Sequence, residues 1–92
     1  MVLPAARGDL LEIGDFIAQD NPQRAASYID ELEQRLTQIA ERPGSYPLRD
    51  DLHVGLRSAR HGPYLIFFVE RGDEIQIVRV LHGARNLARL LG

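Results

Sequence analysis

The chain reads as an α+β fold, with an N-terminal antiparallel helix hairpin packed on one face of a three- to four-stranded, mainly antiparallel sheet and a short C-terminal helix at the end. Three observations carry that reading. Residues 64–83, YLIFFVERGDEIQIVRVLHG, hold two long apolar runs separated by a tight-turn signal. Ahead of them lie two stretches whose apolar residues recur every three or four positions, interrupted at Asn21-Pro22 and at Pro43-Gly44. Finally, 92 residues at 45% hydrophobic and 26% charged make an ordinary globular composition with room for one core, so residues 1–92 are expected to form a single domain.

Val2-Leu3 offers a short edge strand before Pro4 and Ala5 lead into the first helix. There Ala6, Leu10, Ile13, Gly14 and Ile17 line one face, and Asp9, Glu12 and Asp15 are expected off that stripe. Asp20-Asn21-Pro22 ends this helix and starts the next, because Asn is a favoured N-cap and Pro suits the first helical position. A junction this short makes the two helices antiparallel. The second helix has the cleaner stripe of Ala25, Tyr28, Ile29, Leu32, Leu36, Ile39 and Ala40, with Asp30, Glu31, Glu33, Arg35 and Glu41 facing away. Arg42-Pro43-Gly44 stops it, Pro being unable to continue a helix and Gly suiting a left-handed cap.

Ser45 to Val54 is a polar crossing segment in which Leu48 and Leu52 are expected to anchor on the core. Gly55 to Arg60 reads as a short strand, and His61-Gly62-Pro63 turns it into the strand that starts at Tyr64. Tyr64 to Glu70 is almost wholly β-branched, aromatic or Leu. Arg71-Gly72-Asp73 closes a hairpin, and the alternation resumes with Ile75 and Ile77 on one face. It then slips at Ile77-Val78, which implies either a bulge near Val78 or a central strand partly covered on both faces. Ala84 to Leu91 is expected to form a short helix whose Leu87, Leu90 and Leu91 lack a burial site unless something covers them.

Several function classes drop out. There are no cysteines, so disulfides and thiolate metal sites are excluded and a reducing cytoplasm is the expected location. Met1 to Pro4 lacks the basic start of a signal peptide, and no apolar run approaches the roughly 20 residues of a membrane span. No phosphate-binding glycine loop, HExxH or GxSxG occurs, Asp50-Asp51 reads as a solvated turn, and His53, His61 and His82 have no metal-ligand spacing. No cofactor or metal is expected.

Charge divides along the chain. All 11 basic residues are arginine; up to Val54 there are five against ten acids, and from Gly55 onward six against three, so the sheet half is basic. Arg57, Arg60, Tyr64, Arg79, His82 and Arg85 all fall on or beside the sheet. Arginine forks bind phosphate or carboxylate in bidentate fashion, and Tyr or His can stack or exchange protons. Equally, the group reads as strand ends paired with the acidic helices. Arg79, within an apolar run, must be paired internally or aimed into a cleft, since an unpaired buried guanidinium is costly.

From Ala6 to Asn86 the chain resembles the ParE-type toxins of the RelE/ParE superfamily, the toxin halves of bacterial type II toxin–antitoxin modules. Asn21-Pro22 at the helix junction, Gly55-Leu56-Arg57, and the ending from Arg79 through His82-Gly83 to Arg85 carry the resemblance together. It departs from the family at the start, where only Val2-Leu3 precedes Pro4, and in the short tail after Asn86. The resemblance implies a binding inhibitor of DNA gyrase with no catalytic residues, neutralised by a ParD-like antitoxin and meeting DNA only through that antitoxin. It also implies that target or antitoxin binds at Arg57, Arg60, Tyr64, Arg79, His82 and Arg85, and that a partner covers Leu87, Leu90 and Leu91. Unpaired outer strands would let an antitoxin tail add a strand to the sheet. Two alternatives from the same superfamily stay open: a RelE-like ribosome-dependent mRNA endonuclease with His82 as acid or base, and a toxin-fold protein that has lost toxicity. Against the nuclease, the chain has no lysine, and no tyrosine follows the last strand. A general nucleic-acid-binding module is disfavoured by the net charge of −2.

Overall fold

Both faces of the sheet are covered, each by a different part of the chain. The structure is a computed structural model and describes residues 1–91. Its elements run α1 (Pro4–Ala18), α2 (Pro22–Glu41), a 3-10 turn (Pro43–Ser45), β1 (Arg57–His61), β2 (Tyr64–Arg71), β3 (Glu74–His82) and α3 (Leu87–Leu91). The sheet is antiparallel throughout with order β1-β2-β3, so β2 is central. That position explains why β2 is the most apolar segment: Phe67 and Phe68 are both wholly buried, one toward each face.

One face packs under the helix hairpin. Ala59, Ile66, Phe68, Ile77 and Val80 from the sheet meet Ala6 and Ile13 of α1 and Tyr28, Leu32 and Ile39 of α2. Asn21 caps α2 as its residue type demands, its Oδ1 accepting from the Arg24 N–H at 3.0 Å, and Pro22 follows at the first helical position. At Gly14 α1 faces Ile29 of α2, and a Cβ there would make only an ordinary contact at 3.6 Å. Three expectations fail locally. Asp9 is buried inside the α1 stripe, and Arg35 packs inward with its Nη1 donating to the Tyr46 hydroxyl at 2.8 Å. Gly44 supplies no left-handed cap; Arg42, at φ −142° and ψ 61°, ends the helix and Pro43 opens the 3-10 turn.

The other face is covered by the end of the chain. Leu56, Leu65, Phe67 and Leu81 form a second buried cluster, against which Leu52, Leu87, Leu90 and Leu91 pack while staying partly exposed. Leu87, Leu90 and Leu91 therefore do have a seat on the chain's own sheet, contrary to expectation. The second sheet face carries its own smaller apolar cluster, and the five residues of α3 cover part of it.

A bulge settles the slipped alternation in β3. Phe67 pairs with Arg79 but Phe68 pairs with Ile77, so Val78 is the extra residue. Without it Arg79 would fall on the hairpin face in the core and Val80 on the other, since a one-residue slip reverses every side chain. The bulge puts Val80 under the helices and Arg79 opposite Phe67, on the face that α3 partly covers.

Both sheet edges are largely occupied. Met1 to Leu3 runs parallel to β3, with the Ile77 N–H donating to Met1 O at 2.8 Å and the Leu3 N–H donating to Ile77 O at 3.0 Å, although only the bridge Val2 to Ile77 is sheet-like. On β1, the Ser58 N–H donates to Pro47 O at 3.2 Å, the Arg49 N–H to Leu56 O at 2.6 Å, and Arg35 Nε to Arg60 O at 3.4 Å. Leu48 belongs to this edge segment and is half exposed, so only Leu52 of the two expected anchors reaches a core.

Candidate functional site

Strand pairing places His61, Tyr64 and His82 in one row at the end of the sheet, because His61 lies opposite Tyr64 and Tyr64 opposite His82. Gly62, at φ 57°, makes the two-residue turn that allows this pairing; a side chain there would also meet the Tyr28 hydroxyl at 3.0 Å. The Tyr64 ring meets His82 edge-on at 5.6 Å between centroids and Tyr28 at 6.1 Å, and Tyr28 lies 5.4 Å from His61. All fall in the range in which aromatic rings attract. The guanidinium of Arg24 sits 5.0 Å over the Tyr28 ring and is paired with Glu31, whose Oε1 is 3.9 Å from His61 Nε2. The Arg24 hydrogen bond holds the Glu31 carboxyl below its ordinary range. Burial pushes the Tyr28 phenol above its own.

The outward side of this row is polar and open. His82 is exposed, and its Nδ1 accepts from the Ala84 N–H at 3.1 Å, so the neutral ring carries its proton on Nε2. The Arg85 N–H donates to His82 O at 3.1 Å and the Gly83 N–H to Pro63 O at 2.9 Å, which ties the turn after β3 to the β1–β2 turn. Arg85 and Arg60, the residue before His61, are exposed at the same end. Of the six residues singled out from the sequence, Tyr64 and His82 are in ring contact and Arg85 follows in the turn bonded to His82, whereas Arg60, opposite Leu65, stands on the other face of the sheet.

The remaining two do not join them. Arg57 stands opposite Phe68, four residues along β1 from His61 and therefore roughly 13 Å away. Its Nη1 donates to Tyr46 O at 2.6 Å and its Nε lies 3.6 Å from Glu70 Oε1. Arg79 is committed inside the fold. Its Nε and Nη2 donate to the two Asp9 carboxylate oxygens at 2.8 and 2.9 Å, and its Nη1 reaches Leu90 O at 3.5 Å. Asp9 Oδ2 also accepts the Val80 N–H at 2.8 Å. Of the two roles the sequence left open for Arg79, internal pairing is the one realised.

Sequence reasoning missed Asp9, Tyr28 and His61. Asp9 is three residues from Ala6 and four from Ile13, inside the stripe, and a carboxylate there is the partner an arginine in an apolar strand requires. Tyr28 lies in the core, as its place in the α2 stripe implies, but its link to His61 depends on which residue of β1 ends the strand. Chemically the sheet end offers an exposed imidazole at His82 and an exposed guanidinium at Arg85, groups suited to an anion. Among the described residues no group of three or more His, Asp or Glu could hold a metal ion, and no helix is long and apolar enough to cross a membrane.

Comparison with known proteins extends this description. Toxin ParE1 of Caulobacter vibrioides is 33% identical over 88 residues, covering 95% of this chain and 91% of that protein. Toxin ParE3 of the same organism is 29% identical over 86 residues, covering 92% and 86%. A solved structure described as the chromosomal ParDE TA system from P. aeruginosa superposes with a TM-score of 0.74 at 21% identity, over 88% of this chain and 90% of that one, so the two share a fold. The sequence model of the ParE toxin of the type II toxin-antitoxin system parDE matches residues 1–87, and with the helix hairpin, the three-stranded meander and the relatives above, it shows that this chain belongs to the ParE toxin family.

Proposed function

We propose that the chain acts in the cytoplasm as a non-catalytic toxin that inhibits DNA gyrase and is held inactive by a ParD-like protein antitoxin, touching DNA only through that partner. The observation that carries the reading is the sheet end, where Tyr64 meets the exposed His82 and the exposed Arg85 follows in the next turn, while Arg57 and Arg79 are occupied by the chain's own oxygens. Such a surface suits recognition of a protein's carboxylates, where bidentate guanidinium contacts combine affinity with orientation. The family membership supports the toxin role, and the P. aeruginosa system's description supports a protein antitoxin.

His82 beside Tyr64 and Arg85 also favours a second reading. An imidazole, a phenol and a guanidinium at one edge are the groups an RNA-cleaving site needs for proton transfer and phosphate stabilisation. Arg79 would be the natural phosphate holder in that chemistry, and its commitment to Asp9 weighs against it. Expression without the antitoxin separates the two. The gyrase reading predicts growth arrest with bulk mRNA intact, whereas primer extension showing ribosome-dependent cuts within codons overturns it in favour of the nuclease.

A further inference from the structure

The turn after β3 commits its backbone donors close by, and His82 takes two of them. The Gly83 N–H donates to Pro63 O at 2.9 Å, the Ala84 N–H to His82 Nδ1 at 3.1 Å and the Arg85 N–H to His82 O at 3.1 Å. The Tyr64 ring meets the imidazole edge-on, at 79° and 5.6 Å between centroids. Both the plane of the ring and the role of one nitrogen are therefore set. An Nδ1 that accepts an N–H carries no proton, so the proton of the neutral ring is on Nε2. His82 is exposed, and no residue among those described bonds to its Nε2. Glu31, the carboxylate of the aromatic row, faces Arg24 and His61 instead.

We propose that His82 serves the recognition surface as a fixed hydrogen-bond donor: its Nε2–H selects an acceptor oxygen on the target protein, and the Ala84 N–H holds the ring in that tautomer. The proposal rests on the gyrase-inhibitor reading above. A free imidazole can carry its proton on either nitrogen, and so offers a donor or an acceptor as the ligand demands. Here the Ala84 N–H removes that choice. A target group that presented its own N–H to Nε2 would set two donors against each other, and leaving them unsatisfied lowers affinity roughly tenfold or more. The protonated Nε2 also has no lone pair with which to take a proton. It is therefore unsuited to act as the general base of an RNA-cleaving site.

Two substitutions separate the ring nitrogens. Asn carries its amide at the δ position, where its oxygen can keep the Ala84 N–H, but it has no group at the position of Nε2; Gln carries an N–H at the ε position. In a DNA supercoiling assay with purified gyrase, His82→Asn is expected to weaken inhibition about tenfold or more, and His82→Gln to recover most of that loss. Heteronuclear NMR of the ring nitrogens in the unaltered toxin is expected to place the His82 proton on Nε2 in mildly alkaline solution, where imidazole is neutral. Equal losses in the two variants, no loss in His82→Asn, or a proton found on Nδ1 overturns the donor role alone, provided the unaltered toxin inhibits. Absence of inhibition by the unaltered, folded toxin overturns the gyrase reading, and the donor role with it.

Discussion

Arg79 grips Asp9 through two hydrogen bonds, 2.8 and 2.9 Å long, between residues 70 positions apart. The same carboxylate takes the Val80 N–H, and the same guanidinium reaches the Leu90 carbonyl, so one ion pair joins α1, β3 and α3. The Asp9 side chain is 7% exposed and that of Arg79 23%. Removing one partner leaves the other poorly solvated. Asp9→Ala is expected to destabilise the fold by about 3 kcal/mol, and Asp9→Ala with Arg79→Ala by less than the sum of the single changes. Urea denaturation of the two single variants and the double variant checks it; additive losses would show that the pair is not coupled. Arg79→Ala also lowers stability on this account, so lost toxicity in that variant alone would not identify a binding residue.

The seating of α3 gives a second expectation. Leu87 and Leu90 pack against the cluster of Leu56, Leu65, Phe67 and Leu81 but remain partly exposed, so each Leu→Ala change should cost about 1–2 kcal/mol, less than for a fully buried leucine. Truncation after Asn86 should expose enough of the sheet face to bind a hydrophobic dye. Stability and dye binding equal to those of the full chain would show that α3 does not cover the sheet in solution.

How far these features were legible from sequence depends on whether one residue's neighbours settle its place. The helix stripe, the Asn21-Pro22 cap and the hairpin at Gly72 are local, and they appear where their residue types put them. The bulge was legible as an alternative, because Ile77-Val78 breaks a two-residue period whatever the rest of the chain does. The Asp9 to Arg79 pair and the seat of Leu90 are long-range: each half shows that a partner is needed without saying where it is. The row at the sheet end lies between these cases. Tyr64 and His82 were singled out, but their register with His61 depends on the turn at Gly62-Pro63, and this is what separates Arg57 from the group.

Tyr28 gives a pH expectation. Burial raises its folded-state phenol pKa above the ordinary value of 10.0. The unfolded chain therefore releases this proton first as pH rises, and stability that is fully present below about pH 10 is lost as pH climbs through the folded value. Tyr28→Phe should show a shallower loss of stability above pH 10 than the unaltered protein in alkaline melts, on the same reasoning. Identical slopes would mean that another group governs the alkaline limb.

The exposed row should behave differently from the ion pair. His82→Ala and Arg85→Ala are surface changes, expected to shift stability by no more than about 0.5 kcal/mol. If they form the recognition surface, toxicity in cells falls while the melting curve stays in place. Full toxicity in the double variant would move the recognition surface elsewhere on the molecule.

The most direct test of the whole account is a DNA supercoiling assay with purified gyrase and the purified toxin. The account predicts that supercoiling falls in proportion to added toxin, that pre-incubation with the antitoxin restores it, and that His82→Ala with Arg85→Ala weakens the inhibition. Undiminished supercoiling at a large molar excess of folded toxin would contradict it.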